Sequence, residues 1–539
     1  MNDRIVPITR RGLMQWLAAG GAAAPLAALP RAVRAQTHKG VLVIGLDISD
    51  TITLDPARQG QYTPPITLEA AYDTLVTMTP GHYQDVAPAL ATAWTRTPDG
   101  KGWRFTLRQN VRFAGGGTMT AEDVKWSLDR VINIKDQPAQ YVSNIATVNI
   151  VDPQTVDVLL HQPSEPILSI LAAPAFVIYD RNLVQQHGGH SGPQAGTTDT
   201  ATAWLDQHSA GTGAYTLAAW ARDTQIQLVR NPNYWGGTPG FARVVIRHIP
   251  NSASQLLAVQ RGDIDVAFNL IPEQVGPLKA TPQVRVERLE SLDFVYMTLT
   301  EDPAMNAPLA NRLARQAVGY AIDYDGIRDN LLGGAATRPV SFLPIGVRGS
   351  TAQVVQQIGF RQDLDHARQL LQQAGMADGF AFELSYGNAA IAGVSYQTLG
   401  QKLQSDLARV GIKVRLNPMD QVNLRTAYTT GKTVSVLTFW NPPAVENELW
   451  AAATIERVAR RVHWAPPPSL VQLVHEAAGE PDPAKATDLW IGYQKAMVEQ
   501  ANLIVLFQPI YQIAVRDTVG AFPLTAAGWQ VDLRAAMPS

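Results

Sequence analysis

The chain has 539 residues, 46% apolar and 17% charged, which is enough apolar sequence to bury the cores of about two to four domains. A formal net charge of −2 lacks the basic character of a nucleic-acid-binding protein. The absence of cysteine excludes disulfides, thiol nucleophiles and cysteine-ligated metal sites.

Residues 1–35 have the pattern of an export signal. Arg10 and Arg11 precede an uncharged run rich in alanine, glycine and leucine, and Val33-x-Ala35 fits a cleavage site. The run is too short and too interrupted for the roughly 20 apolar residues of a membrane span. The arginine pair predicts export of the folded protein by the twin-arginine route. Five Arg and one Asp lie in this segment, so the rest of the chain carries a net charge of −6.

The N-terminal part of the remaining chain predicts two strands and a helix. Residues 41–46 are a short apolar run, and residues 103–108 alternate apolar and polar side chains with the period of a half-buried strand. A helix is predicted to begin at Thr120, because Thr120 can cap it and Glu122 and Asp123 lie where the helix dipole favours anions.

The later part of the chain repeats a helix–glycine–strand pattern. Apolar residues recur at helical spacing over 252–260, 311–322, 363–374 and 399–410, and residues 412–416 directly after Gly411 read as a strand. This alternation predicts an α/β protein with mixed sheets. The polar, glycine-rich residues 187–199 are predicted to form a surface loop.

The sequence contains no recognisable catalytic or cofactor motif. There is no phosphate-binding P-loop and no Gly-x-Ser-x-Gly elbow, and the segment after Gly211 lacks the third glycine of a dinucleotide fingerprint. His475-Glu476 opens like a zinc-protease helix, but Gly479 stands where the second histidine is needed. His187 and His190 are interpreted as exposed loop residues. We therefore expect no catalytic residue, no cofactor and no metal site.

A series of short segments occurs in a characteristic order, and the series spans nearly the whole chain after the signal. The segments are TLDP (53–56), AYDTLV (71–76), PALATAW (88–94), DGKGWRFTLR (99–108), TAEDVKWSLDR (120–130), GTGAY (211–215), RNPNYW (230–235), GDIDV (262–266), RQAVGYAID (315–323) and ARQLLQQAG (367–375). The series resembles the family 5 extracellular solute-binding proteins, the dipeptide, oligopeptide and nickel type of bacterial ABC importers.

The resemblance implies a fold, namely a two-lobed clamp similar to type II periplasmic binding proteins, with mixed sheets and an extra inserted domain. Mapped onto this chain, lobe I takes residues 37–67, 210–292 and 506–539. Domain II takes 68–209 and lobe III takes 293–505. Two strands near 293–297 and 504–507 are expected to cross between the lobes.

The resemblance also implies a function. Members capture a peptide or peptide-like solute between the lobes and deliver it to the permease subunits of an ABC transporter, so a periplasmic monomer without enzymatic activity or nucleic-acid partner is expected. Three alternatives stay open: a clamp for an oligosaccharide, an opine-like compound or a metal chelate; a sensor or chaperone; and a hydrolase that uses dispersed carboxylates.

The expected solute contacts follow from the same resemblance. Peptide-binding members hold the α-amino group with an aspartate three residues after a tryptophan. Trp440 matches that tryptophan, but Pro443 occupies the aspartate position. Either Glu446 or Glu448 replaces the missing charge, or the solute is not a peptide. We expect Trp440, Asn441 and Tyr62 to contact the solute, the alternative for Trp440 being a packed aromatic at the hinge.

Overall fold

The computed structural model describes residues 40–539 except 80–81, 163, 165, 279, 389, 441–444, 481 and 527–530. The predicted signal, residues 1–35, lies outside the described residues, as do Asn441 and Pro443. Over the described part of the chain, no helix is both long and apolar enough to cross a membrane.

The described strands are β1 (Val41–Leu46), β2 (Val76–Thr79), β3 (His82–Pro88), β4 (Ala91–Arg96), β5 (Gly102–Leu107), β6 (Ile145–Asp152), β7 (Thr155–Leu160), β8 (Tyr215–Ala221), β9 (Gln225–Arg230), β10 (Arg243–His248), β11 (Val266–Ala267), β12 (Val284–Glu290), β13 (Phe294–Thr298), β14 (Ala336–Thr337), β15 (Ala381–Gly387), β16 (Ala390–Ile391), β17 (Val394–Ser395), β18 (Lys413–Met419), β19 (Val436–Trp440), β20 (Leu503–Arg516), β21 (Val519–Ala521) and β22 (Met537–Pro538).

The described helices are α1 (Pro64–Ala71), α2 (Ala121–Ile134), α3 (Ile167–Leu171), α4 (Arg181–Gln186), α5 (Ala195–Thr198), α6 (Thr202–Leu205), α7 (Ser252–Arg261), α8 (Pro272–Leu278), α9 (Pro303–Ala310), α10 (Arg312–Ala321), α11 (Tyr324–Gly326), α12 (Ala352–Ile358), α13 (Leu364–Gln373), α14 (Tyr396–Ala408), α15 (Gln421–Thr429), α16 (Asn447–Ala452), α17 (Ala459–Arg461), α18 (Pro468–Gly479) and α19 (Pro483–Gln500). A 3₁₀ turn covers Gln137–Val142, and π-helical turns cover Ile327–Leu331 and Ala453–Val458.

The helices predicted from the sequence form close to the predicted ranges. Asp123 accepts hydrogen bonds from the backbone N–H and the hydroxyl of Thr120, at 2.8 and 3.0 Å, at the start of α2. Asn311 and Asp363 stand before the first residues of α10 and α13, and the side chain of each accepts a hydrogen bond from a backbone N–H of the first turn. Gly411, at φ +83°, separates α14 from β18. The mixed α/β class and these local elements are confirmed.

One sheet of twelve strands dominates the described residues. Its order is β18-β15-β19-β13-β20-β11-β1-β10-β9-β8, and β12 and β14 also pair with β20. β1 is parallel to β10 and β11, and β15 is parallel to β18 and β19, whereas β13 and β20 are antiparallel to each other. The sheet is therefore mixed, as the sequence predicted.

The 14-residue strand β20 joins the two parts of this sheet. Its residues from Leu503 to Phe507 pair with β13, and its residues from Ile510 to Arg516 pair with β12. Pro509, which has no N–H to donate, lies where the pairing partner changes. The chain thus passes between the two parts twice, once within β20 and once between β12 and β13.

A separate four-stranded sheet has the order β4-β5-β7-β6, and α2 packs on it. Its core includes the fully buried Phe105 and the nearly buried Trp103. Arg130 of α2 is fully buried and makes paired hydrogen bonds to Asp55 and to Asp199, all between 2.8 and 2.9 Å. This ion network ties α2 to the chain after β1 and to the segment that follows α5.

One local expectation was incomplete. Residues 187–199 were predicted to be a loop throughout, but Ala195–Thr198 form the short helix α5. The carbonyl of Gln194 accepts from the hydroxyls of both Thr197 and Thr198, at 3.1 Å each, which holds this turn together. Most of the range is exposed as its polar composition predicted, but Ala195 and Asp199 are buried, and composition did not reveal this single helical turn.

Candidate functional site

A cavity of about 230 Å³, which we call the seam cavity, lies where the two parts of the twelve-stranded sheet meet. One wall comes from the ends and following loops of β1 and β11, from the residue before β13 and from β20. The other wall comes from the β16–β17 hairpin, the start of α14 and β19. Its lining consists of Leu46, Asp47, Ser49, Asp50, Tyr62, Thr63, Ile66, Phe268, Asn269, Asp293, Ala390, Ile391, Ala392, Tyr396, Phe439 and Tyr511.

The loop after β1 carries Tyr62 to the seam cavity. Oδ2 of Asp50 accepts hydrogen bonds from the backbone N–H groups of Tyr62 and Thr63, at 2.9 and 3.0 Å. Helix α1 begins directly afterwards with Pro64 at its first position, where a missing N–H costs nothing. Asp50 and the helix start together fix the backbone on both sides of Tyr62.

Asp293 is the buried carboxylate of the seam cavity. Its Oδ2 accepts a hydrogen bond of 3.0 Å from the hydroxyl of Tyr511. The Tyr62 hydroxyl lies beside both groups, and burial together with the charge of Asp293 raises the pKa of Tyr62 well above its usual value. The same two causes raise the pKa of Tyr511. Both tyrosines are therefore neutral hydrogen-bond donors at physiological pH.

The opposite wall begins with the β16–β17 hairpin. Its turn residues Ala392 and Gly393 both have positive φ, +49° and +80°. An added Cβ at Gly393 would overlap the side chain and backbone of Ile271, so the hairpin tip packs directly on the chain before α8. Tyr396, the first residue of α14, follows the hairpin and lines the seam cavity. Burial and the charge of Asp293 raise its pKa.

Phe439 and Trp440 project to opposite faces of β19, because successive strand residues alternate. Phe439 lines the seam cavity and is 44% exposed, a large exposure for a phenylalanine. Trp440 is half-buried, with its ring centroid 5.5 Å from that of Phe342 and 5.4 Å from the guanidinium of Arg457. Of the expected contacts, then, Tyr62 lines the seam cavity and Trp440 does not. Asn441 lies outside the described residues.

A second cavity of about 980 Å³, which we call the large cavity, lies on the side of the helices that follow β19. Its lining combines residues of the four-stranded-sheet region with residues of α16, α18 and α19. They are Val86, Trp94, Arg96, Gln162, Ser164, Pro166, Leu168, Ser169, Val347, Arg348, Val445, Glu446, Asn447, Glu448, His475, Ala477, Ala478, Gly479, Glu480, Pro483, Ala486 and Trp490.

The two carboxylates proposed to replace the missing aspartate both line the large cavity. Burial and the neighbouring Glu448 raise the pKa of Glu446 to about 7, and burial also raises the pKa of Glu448. Asn447 between them donates a 2.8 Å hydrogen bond to the carbonyl of Arg348. The chain from Phe439 to Glu448 therefore borders the seam cavity at one end and the large cavity at the other.

Asp293, Tyr511, Asp50 and Phe439 were missed as site residues by sequence reasoning. Asp293 lay inside a segment predicted to cross between the lobes, and Phe439 is next to the predicted Trp440. Strand alternation could have separated the faces of Phe439 and Trp440. Nothing local marks Asp293 and Tyr511, which are 218 residues apart. Within the described residues, no three histidine, aspartate or glutamate side chains gather as a metal site.

A protein-family model matches residues 85–449, and its description is "Bacterial extracellular solute-binding proteins, family 5 Middle". Two relatives cover most of the chain. The probable D,D-dipeptide-binding periplasmic protein DdpA of Escherichia coli K12 is 29% identical over 495 residues, 90% of this chain and 92% of the relative. The glutathione-binding protein GsiB of Salmonella typhi is 29% identical over 423 residues, 78% of this chain and 76% of the relative.

A solved structure shows the same fold. The ABC transporter-associated periplasmic binding protein DppA of Helicobacter pylori, in complex with the peptide STSA, superposes with a TM-score of 0.76. The superposition covers 93% of this chain and 98% of that protein, at 22% sequence identity. A sequence identity of 22% shows that the two proteins share a fold, and it does not show that they bind the same solute.

Proposed function

The chain belongs to the bacterial extracellular solute-binding proteins of family 5, and on that premise we propose that it captures a peptide or peptide-like solute between two lobes and delivers it to the permease of an ABC importer. Its fold is that of the type II periplasmic binding proteins. Members of the family are periplasmic or extracellular and bind solutes without chemistry. For this chain we further propose export by the twin-arginine route, a monomeric state and the absence of catalysis.

The peptide class is supported by the two relatives, which are named for a D,D-dipeptide and for glutathione. Both are small peptides with free charged ends, and both relatives match this chain over more than three quarters of its length. Pro443 in the usual aspartate position argues that any ammonium group is held elsewhere than in peptide-binding members. An oligosaccharide, an opine-like compound or a metal chelate is the alternative solute, and a sensor or chaperone is the alternative role.

The seam cavity is the observation that carries the proposal. A solute in it would touch Tyr62 and Tyr511 on one part of the sheet and Tyr396 and Phe439 on the other. Contacts that need both walls exist only when the walls are close together, so such a solute would favour the closed arrangement. We keep residues 293–505 as the proposed lobe III, since the chain passes between the two parts of the sheet close to both of these bounds.

Trp440, Asn441 and Tyr62 remain the proposed solute contacts. Tyr62 offers a hydroxyl and a ring to the seam cavity. Trp440 offers a ring edge from the other face of β19, and its buried Nε1 has no hydrogen-bond partner in the described structure. If Trp440 touches solute, Trp440→Ala should weaken binding about tenfold or more, as loss of a buried aromatic contact does. A variant with full affinity would assign Trp440 to packing alone.

A thermal-shift screen tests the function. The mature chain should be melted with D-alanyl-D-alanine, glutathione, ordinary di- and tripeptides, an oligosaccharide, an opine and a nickel–histidine chelate. A solute that binds only the folded state at 100 times its Kd adds about 2.7 kcal/mol to the free energy of unfolding. The proposal expects the largest rise in Tm from a peptide, and a rise from the sugar, opine or chelate alone would contradict it.

A further inference from the structure

The seam cavity has a one-sided charge. Asp47, Asp50 and Asp293 line it, and no lysine or arginine is among the described lining residues. His248 lies behind this wall, with its Nδ1 3.7 Å from Oδ1 of Asp47. Cavities lined by one sign of charge attract ligands of the other sign.

The carboxylates differ in how far the protein satisfies them. Asp293 is only 4% exposed, and its Oδ2 accepts the hydrogen bond from Tyr511. Asp50 uses Oδ2 for two backbone N–H groups, but its Oδ1 is buried and has no hydrogen-bond partner in the described structure. A buried acceptor without a donor is costly, and a ligand that brings a donor to Asp50 as it enters the cavity would relieve that cost.

Aromatic rings supply the rest of the walls. Tyr62, Phe268, Tyr396, Phe439 and Tyr511 all line the seam cavity. Ring faces attract cations and also cover apolar groups, so the walls suit a charged head on an apolar stem. The volume of about 230 Å³ lies below the roughly 300–1,000 Å³ of sites that enclose a whole small ligand. It suits one end of a solute whose remainder lies outside it.

We propose that the seam cavity binds a protonated amino group and the apolar stem next to it, with Asp50 and Asp293 as the counter-charges and Tyr62 and Phe439 around the stem. This proposal depends on the proposed function in one respect: it treats the seam cavity as part of the solute-binding site. It places the ammonium group on the Tyr62 side of β19. The rival position is beside Glu446 and Glu448 in the large cavity.

The test uses the full mature chain and two matched fragments, benzylamine and benzyl alcohol, with binding measured by ligand-detected NMR titration. The fragments have nearly the same size and ring, and differ in the charged nitrogen. We expect benzylamine to bind about tenfold or more tightly than benzyl alcohol, the usual scale of a hydrogen bond to a charged group. Equal binding, or no detectable benzylamine binding, overturns the proposal.

Variants locate the charge. Asp50→Asn and Asp293→Asn should each remove most of the preference for benzylamine while leaving benzyl alcohol unchanged. Glu499→Gln, an exposed carboxylate on α19, is the matched control and should leave the preference intact. Glu446→Gln tests the rival: loss of the preference there, with retention in both aspartate variants, assigns the ammonium group to the large cavity. If Asp293→Asn does not fold, Asp50→Asn decides alone, because the side chain of Asp50 is less buried.

The outcome separates this inference from the proposed function. If the protein prefers benzylamine but no peptide raises its Tm, the amine site is supported and the peptide function is contradicted. If peptides raise its Tm but benzylamine and benzyl alcohol bind equally well, the peptide function is supported and the amine site is contradicted.

Discussion

The hydroxyl of Tyr511 donates a 3.0 Å hydrogen bond to Oδ2 of Asp293, which joins β20 to the residue before β13. Both residues lie within a few positions of the points where the chain passes between the two parts of the large sheet. Because the acceptor is a buried carboxylate, this bond belongs to the stronger class of protein hydrogen bonds. The hydrogen bond therefore holds the carboxylate of Asp293 in the seam cavity against a side chain of β20.

Tyr511→Phe should lower the free energy of unfolding by about 1.5–3 kcal/mol, the loss expected when a buried charged acceptor loses a donor. Urea denaturation of the wild-type and variant proteins measures the difference. Tyr141→Phe is the control, since Tyr141 is half-buried and its hydroxyl makes no hydrogen bond within the described part of the chain. An equal effect of the two substitutions would show that the Tyr511 bond contributes little.

Gly393→Ala should destabilise the protein by about 1–3 kcal/mol, because Gly393 has φ +80° and an added Cβ overlaps Ile271. It should also weaken solute binding, since the hairpin tip would move away from the chain before α8. Unfolding curves and the thermal-shift response to solute measure both effects.

Gly276→Ala is the control for that substitution. Gly276 lies inside α8, and an added Cβ there meets no atom within 4 Å. Alanine is favoured over glycine in a helix, so this variant should be neutral or slightly stabilised. A Gly393→Ala protein as stable as Gly276→Ala would refute the close packing of the hairpin tip.

Arg130→Met should lower the free energy of unfolding by about 3–5 kcal/mol. Arg130 is fully buried, and its removal leaves Asp55 and Asp199 in the interior with only the longer ion pairs to Arg58, at 3.9 and 3.8 Å. Arg368→Met on α13 is the comparison, because Arg368 pairs with Asp365 in solvent, where an ion pair contributes about 0–1 kcal/mol. Guanidinium denaturation of both variants tests the contrast, and a loss below 1 kcal/mol for Arg130→Met would contradict it.

Stability should fall as the pH rises from about 4.5 to about 8. Burial, with Asp532 and Asp73 nearby, raises the pKa of Glu69 from 4.5 to about 8 in spite of Arg534. Between these values the folded state keeps a proton that the unfolded state releases, so each pH increment favours unfolding. The loss should be on the order of a few kcal/mol, and it should be complete above about pH 8.

Glu69→Gln should remove the part of this pH dependence that Glu69 contributes, because glutamine does not titrate, whereas Glu446, whose pKa burial raises to about 7, should leave a smaller residual slope. Urea unfolding at several pH values from 5 to 8.5 measures the slope for each protein. Glu499→Gln, on the exposed face of α19, should keep the wild-type slope. A Glu69→Gln protein that keeps the full wild-type slope would assign the effect to other groups, Glu446 first among them, because burial raises its pKa to about 7.

The sequence predicted the local elements well, because their causes are local. Caps such as Asn311 and Asp363 and the glycine at 411 act within one turn of the helix that they bound. The family resemblance then supplied the fold class and function. The pairing of β20 with four different strands could not be read from spacing, since it joins residues hundreds of positions apart.

The candidate site was only partly predictable for the same reason. Tyr62 and Phe439 line the seam cavity, whereas Trp440 does not, and the contact of Tyr62 and Trp440 with a solute stays a prediction. The aspartate position at Pro443 was interpreted as a missing charge. Asp293, in a segment that the sequence marked only as a crossing strand, lines the seam cavity and is the carboxylate that we propose in its place.

The position of β20 after all the strands that it joins has a consequence for biogenesis. Strands β11, β12, β13 and β14 all pair with residues 503–516, so the ribosome must pass this segment before the two parts of the sheet can join. Nascent chains released early would carry unpaired strand edges and be substrates for chaperones or proteases. Export after folding would suit a protein whose large sheet can form only late in synthesis.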